Sequence, residues 1–439
     1  MSTAAVASFD FNPDVPILCH ETGGPANSTS AEATREEMVR LFQQMARARR
    51  LEVMCRELYI SQRMRGFCHL TDGMDAIATG MEAALSKDDA VSGYIRCHTW
   101  PVVRAENKIE ALRAVFAEAM GRATGLSNGK GGSMHMYAKK DQFLGGQSTI
   151  VSHPSIATAT GNALAYKYRG SSQVAFACFE QGGANKGVLY ESMNMAALWK
   201  LPVVYVCENI KFCITTSNER AAASSEYHKR GHSAGIPGLR VDGMDVLCVK
   251  ACTEFAIEHC RAGKGPFVLE MDAYRYHGFS MADPGMYRTR EDIKLVHSAR
   301  DPIAQCAYMY RTHDLCNRCF IADSADSLSL NSGKRRIVEA GWMTQQELKT
   351  LEKQIRPEVD EALRLALADP PPTPESAFQG VHTEEVFVRG MELGESHFPT
   401  GESDSPAGSG AGGAEGRTSL AKGLEVWKPI SPRVCNTVA

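Results

Sequence analysis

The stretch "FACFEQGGANKGVLYESMNMAALWKLPVVYVCENIKF", residues 176–212, constrains this chain more than any other. Residues 174–179 form a short apolar run that reads as a buried strand. Gly182 and Gly183 follow, letting the backbone turn tightly and approach a ligand. A helical pattern runs through Asn194 and Trp199 and stops at Pro202. Residues 203–207 read as the next strand. A strand–helix–strand unit of this length is a right-handed crossover between parallel strands, so the strand ends at Gln181 and Ile210 are expected side by side. Ligands of such sheets bind outside those carboxyl ends, and a helix N-terminus there presents N–H groups to a diphosphate. A glycine turn of this kind also occurs with no ligand, and by itself does not separate the two cases. The residues at the strand ends sharpen the question. The turn opens Glu180-Gln181-Gly182-Gly183 and the second strand closes Glu208-Asn209-Ile210. A metal held against a diphosphate wants charged oxygens where this chain places glutamine and isoleucine.

Apolar strands and amphipathic helices alternate from about Asp72 to Asp272. That alternation predicts an α/β fold: a doubly wound, mostly parallel sheet with helices on both faces. Residues 1–34 are rich in Pro, Gly, Ser and Thr and are expected to be loose. Ser30 is expected to cap a helix beginning near Ala31, with Met38, Leu41, Met45 and Leu51 on its apolar face. Residues 35–390 then form the main domain, mostly helical over 301–368 apart from a polar insert near 323–334. Residues 391–439 form an extension whose Gly/Ser-rich stretch, 398–419, is expected to be disordered.

Several function classes fall away. A net charge of -3 offers no basic face for nucleic acid. No apolar run approaches the ~18 residues of a membrane helix. The 14 cysteines are scattered through a chain too long to need disulfide staples, and read as reduced thiols. The CxxC pair Cys316/Cys319, near His313, lacks the second half of a zinc site and reads as loop cysteines. Arg35 is the first basic residue, so neither an Arg-rich transit peptide nor a secretory signal is recognisable.

Six strings, "RGFCHLTDG" (65–73), "GKGGSMHMY" (129–137), "NMAALWKLP" (194–202), "ERAAAS" (219–224), "GLRVDGMD" (238–245) and "YRYHGFSMADPGMYRTRED" (274–292), occur in this order in one family. Through them residues 35–390 closely resemble the alpha subunit of the pyruvate dehydrogenase component of the pyruvate dehydrogenase complex. The resemblance implies a thiamine diphosphate-binding fold, thiamine diphosphate with Mg²⁺ as cofactors, and oxidative decarboxylation of pyruvate toward acetyl-CoA. It implies a beta-type subunit as partner in an alpha2-beta2 heterotetramer, with an intact alpha paralogue as a further partner. It places the chain in the mitochondrial matrix; the absence of a recognisable transit peptide makes the cytoplasm the alternative.

Carried over residue by residue, the resemblance puts the metal ligands at Gln181, where the family has Asp, at Ile210, where it has Asn, and at the backbone carbonyl of Phe212. Gln181 can still offer a neutral oxygen, whereas Ile210 offers nothing. Asn209 is one step along the strand and therefore faces the other way, unless a bulge turns it. Arg96, Val151, Gly182 and Gly183 fall on cofactor-contacting positions. Ile95 stands where the family has Tyr, unless a one-residue shift restores Tyr94. His69 falls at a position facing the substrate, or is a buried, hydrogen-bonded histidine. Phe279 replaces a histidine and can donate no proton. Ser280 and Ser217 fall on regulatory phosphorylation sites. Three readings follow: a catalytically silent assembly subunit, a working enzyme with an altered metal site, and a binding protein using the old pocket for another ligand.

Overall fold

In a computed structural model the chain is described over residues 6–22, 29–64, 66–146, 153–307 and 336–378, and at 387–388 and 391–392. It divides into two compact units, Met1–Ala377 and Phe378–Ala439. The first begins with β1 (Val6–Asp10), β2 (Leu18–His20), β3 (Ser30–Thr34), α1 (Arg35–Ile60), α2 (Asp75–Ala84), β4 (Ala90–Gly93), α3 (Thr99–Arg104), α4 (Lys108–Ala119) and β5 (Phe143–Gly146). Its centre holds α5 (Pro154–Arg169), β6 (Ala175–Glu180), α6 (Gly187–Leu198), β7 (Val203–Asn209), the two-residue strands β8 (Phe212–Cys213) and β9 (Thr216–Ser217), and α7 (Asn218–Ala221). Next come β10 (Gly238–Asp242), α8 (Val246–Arg261), β11 (Phe267–Asp272), α9 (Arg290–Arg300), α10 (Pro302–Ala307), α11 (Arg336–Glu339) and α12 (Gln345–Ala368). In the second unit β12 (Phe387–Val388) and β13 (Met391–Glu392) pair antiparallel. Val151, the cysteines of the CxxC pair, the polar insert and the Gly/Ser-rich tail lie outside the described residues. Among the described residues no helix is long and apolar enough to cross a membrane.

The main sheet has seven strands in the order β2-β10-β11-β7-β6-β4-β5. All neighbours are parallel except β2, which pairs antiparallel with β10 at the edge. The expected doubly wound, mostly parallel sheet is therefore present. Every residue of β6, β7 and β11 is buried, as strands covered on both faces require. Side chains alternate between two apolar clusters. Phe176, Cys178, Val204 and Val206 point to the cluster that takes in residues of α1, α2 and α8. Ala177, Phe179, Tyr205 and Cys207 point to the one that takes in residues of α5 and α6.

The N-terminal expectation is corrected. Ser30 does not cap a helix, because residues 30–34 form β3, paired antiparallel with β1 through Ala33–Ala7 and Ala31–Phe9. The alternation Ala31, Ala33 has period two and suits a strand. The helix begins at Arg35, and the Thr34 side chain accepts from the Glu37 N–H. From there Met38, Leu41, Phe42, Met45, Ala48 and Leu51 form the buried stripe, each large apolar member contributing about 1.5–3 kcal/mol.

The C-terminal end of β11 is fixed by charge. Buried Asp272 accepts from Lys211 at 2.5 Å, Arg240 at 2.5 Å and Arg300 at 3.2 Å. Burial alone would raise its pKa, but the three cations hold it well below the usual carboxylate range. The stabilisation is therefore present above the unfolded value of about 3.9 and is lost as pH falls below it. Asp272→Asn leaves three cations facing a neutral amide, and the expected loss is about 3–5 kcal/mol. Urea unfolding at pH 7 measures that loss, and the variant should also lose stability less steeply than the parent below about pH 4.

Candidate active site

β4, β6 and β7 are neighbours, and their C-terminal ends converge. β6 and β7 run in unbroken register to Glu180 opposite Glu208. One residue further on, the Gln181 side-chain oxygen accepts from the Ile210 N–H at 3.1 Å. The expected juxtaposition of these two positions is thus present, closed by a hydrogen bond. Gln181 is buried, and its Nε2 has no hydrogen-bond partner among the described residues. The Ile210 side chain is fully buried in the apolar core. The Phe212 carbonyl accepts from Arg275 at 2.6 Å, and the same guanidinium donates to the Ile214 carbonyl and the Tyr287 hydroxyl.

No bulge redirects Asn209. It stays in register opposite Asp272. Its Nδ2 donates to Glu270 at 2.8 Å, and its Oδ1 accepts from Asn218 and from the Lys211 N–H. The two glycines are not needed for a left-handed turn. Neither has positive φ. A Cβ on Gly182 would collide with the Cys213 sulfur, and one on Gly183 would lie 2.8 Å from the His153 ring. A 3₁₀ turn, Gly183–Asn185, intervenes before α6 starts at Gly187. The helix N-terminus therefore does not follow the glycines directly.

Two carboxylates are buried here. Tyr94 donates to Glu208 at 2.6 Å. Burial pushes the Glu208 carboxyl up to about 7, the Tyr94 hydrogen bond and Arg96 partly opposing it. Burial also raises Glu180, with Arg96 and Arg275 opposing. Glu180 Oε2 has no hydrogen-bond partner among the described residues. Tyr94 is thus committed to Glu208, and Ile95 is buried among apolar side chains.

Arg96 donates to the Leu70 and Phe279 carbonyls and lies over the Phe279 ring, 5.7 Å from its centroid. His69 meets the same Phe279: Nδ1 donates to its carbonyl at 2.7 Å, and the rings stand edge-on at 4.9 Å. That bond fixes the tautomer and leaves Nε2 as a buried acceptor with no partner among the described residues. Burial first, then Arg96, lowers the His69 pKa to about 3, so the ring is neutral near pH 7. His153 starts α5 with φ +42°, and burial lowers its pKa to about 4. Ser280 is only 5% exposed, and Ser217 is half-buried at the start of α7. The fold therefore gathers His69, Arg96, Phe279, Gln181, Ile210 and Phe212 near the strand ends. Sequence reasoning did not assign Arg275, Cys213 or His153 to the site, and named Tyr94 only as the alternative to Ile95. Glu180 and Glu208 were visible as carboxylates flanking the turn.

A mostly parallel sheet with buried titratable groups gathered beyond three strand ends defines an α/β protein of the type whose ligands bind outside the carboxyl ends of the strands. The chain belongs to the dehydrogenase E1 component family, among the pyruvate dehydrogenase alpha subunits. The family's profile matches residues 43–319. The chain is 40% identical over 373 residues to the somatic mitochondrial pyruvate dehydrogenase E1 component subunit alpha of Rattus norvegicus, covering 84% of this chain and 85% of that one. It is 41% identical to the mitochondrial subunit alpha-2 of Arabidopsis thaliana, covering 85% of this chain and 86% of that one. The subunit alpha of Rhizobium meliloti is 41% identical over 79% of this chain and 90% of its own.

Glu208 supplies a pH test. Its folded pKa stands above the unfolded ~4.3, so its contribution to stability is complete below that value and is lost as pH rises through about 7. Glu208→Gln keeps the shape and removes the titration. Thermal unfolding between pH 5 and pH 8 should show a shallower decline in the variant than in the parent chain.

Proposed function

We propose that this chain is an alpha-type subunit of the pyruvate dehydrogenase component that assembles with a beta-type subunit while holding thiamine diphosphate and Mg²⁺ weakly or not at all. One observation carries the reading: the oxygen of Gln181 is engaged by the Ile210 N–H, and the Phe212 carbonyl by Arg275. Mg²⁺ needs near-octahedral oxygen ligation at about 2.0–2.1 Å and gives up water reluctantly. Of the three positions the family resemblance assigns to it, one is hydrocarbon and two offer neutral oxygens that each already accept a hydrogen bond. These residues do not fit the ion. Glu180 and Glu208 supply no substitute anionic ligand, since burial raises both carboxyls and Tyr94 holds Glu208. His69 and Phe279 reinforce the point. A neutral histidine hydrogen-bonded to a backbone carbonyl, beside a phenyl ring, provides no proton donor toward a substrate.

Assembly is supported by exposed apolar side chains on α5 and at the end of α6: Leu164, Tyr168, Met195, Leu198 and Trp199, with Leu198 at 73% exposure. Lys167 of α5 donates to the Trp199 carbonyl, which joins the two helices at this patch. Exposed apolar patches mark association surfaces. The proposed assembly is an alpha2-beta2 heterotetramer, with an intact alpha paralogue as a second partner. The proposed compartment is the mitochondrial matrix; its support is that the rat and Arabidopsis relatives are named mitochondrial. Leu198→Asp should reduce recovery of a co-expressed beta-type subunit by more than about 10-fold, as an interface hot spot would. Co-purification followed by size-exclusion chromatography reads this, and unchanged recovery removes the patch from the interface.

The function itself is tested by calorimetric titration of thiamine diphosphate with Mg²⁺ into the chain co-purified with its beta partner. The parent chain should show no saturable binding, and Gln181→Asp with Ile210→Asn should restore metal-dependent binding before any turnover. Full pyruvate-dependent activity of the unmodified chain, freed of any intact paralogue, selects the alternative of a working enzyme with an altered metal site.

A further inference from the structure

β2 ends at His20, at the edge of the sheet, and pairs there with Gly238 of β10. Just before β10 the chain makes a single 3₁₀ turn, His232–Ala234. The two segments are far apart in sequence, yet they bring three metal-ligating side chains to one point. His20 Nε2 lies 3.1 Å from His232 Nδ1. His232 Nδ1 lies 2.7 Å from Glu21 Oε1. His20 Nε2 lies 3.6 Å from that same oxygen.

His232 Nδ1 is common to the two short contacts, and an imidazole nitrogen carries at most one proton. Protonated, it donates to Glu21 and has no second proton for His20. Unprotonated, it accepts from His20 and faces the carboxylate oxygen lone pair to lone pair. No single proton satisfies the triangle, whereas a cation at its centre satisfies all three corners. The dimensions agree: ligand atoms about 2.0–2.1 Å from a tetrahedral Zn²⁺ stand about 3.3 Å apart, close to the three separations here. Two imidazoles and one carboxylate are borderline ligands that favour Zn²⁺ over Mg²⁺ or Ca²⁺, which prefer oxygen throughout. The three side chains are 18%, 37% and 68% exposed, which leaves a fourth position for water.

We propose that His20, Glu21 and His232 form a Zn²⁺ site that ties the edge strand β2 to the turn before β10. The site shares no residue with the cluster beyond β6 and β7, so it stands or falls independently of the function proposed above. Binding uses the lone pairs of His20 Nε2 and His232 Nδ1, with the proton of each ring held on its other nitrogen.

The test uses the full-length chain with Cys316→Ser and Cys319→Ser, which removes the CxxC thiols as a competing site. Zn²⁺ titration should show one site per chain. Co²⁺ substitution should give the visible bands of a tetrahedral ion without a thiolate charge-transfer band. His232→Ala and His20→Gln should each weaken binding by more than about 100-fold, beyond the 10–100-fold of outer-shell changes. Added Zn²⁺ should raise the melting temperature of the parent and leave both variants unmoved. Equal affinity in parent and variants, a thiolate band in the Co²⁺ spectrum, or no saturable binding each overturns the proposal.

Discussion

The ladder between β6 and β7 is the constraint on which the rest depends. Both strands are buried along their whole length, so nothing at their ends can call on bulk water for its polar partners. Each group beyond the last rung must be satisfied by protein or by a ligand. In this chain the first such group is satisfied from within: Gln181 reaches across and accepts from the Ile210 N–H, extending the ladder by one side-chain rung. Ile210 turns its side chain into the core, where a polar replacement would have to find its own partner. A position that could serve a ligand here serves the sheet.

The charges around that rung follow the same logic. Arg96 and Arg275 both face Glu180 and partly offset its burial, and each also secures backbone carbonyls. Arg96 holds Leu70 and Phe279, and Arg275 holds Phe212 and Ile214. Burial outweighs those cations, so the carboxyl of Glu180 stays raised, as does that of Glu208 with its Tyr94 partner. The region beyond the strand ends is therefore internally bonded at its backbone and reluctant toward further negative charge. The Asp272 cluster works in the opposite sense, because three cations overcome burial there and the carboxylate stays ionised.

The strand–helix–strand core was legible because apolar runs, a glycine turn and a proline stop all act locally. The juxtaposition of Gln181 with Ile210 followed from crossover geometry together with the family resemblance. The helix start at Ser30 was misread because Ser30-Ala31-Glu32-Ala33-Thr34 fits a cap-plus-helix reading until β1 is present to pair with it. The role of Arg275 was not legible, since its contact with Phe212 crosses 63 positions of chain and depends on where the loop after β11 folds. Gly182 and Gly183 were recognised as required for tight turning and close approach to a ligand; the sequence did not show that Cys213 and His153 also take the space a Cβ would need. Tyr94 and Ile95 could be exchanged on paper by a one-residue shift, and only the fold commits Tyr94 to Glu208.

The central claim is that the three positions the family resemblance assigns to the metal have been turned to internal bonding. The most direct measurement replaces Mg²⁺ with Mn²⁺ and follows its electron paramagnetic resonance signal in the chain–beta complex with thiamine diphosphate. The account predicts the signal of free hydrated Mn²⁺, undiminished by the complex beyond what thiamine diphosphate alone removes. A stoichiometric loss of that signal, reversed on adding Mg²⁺, would contradict it.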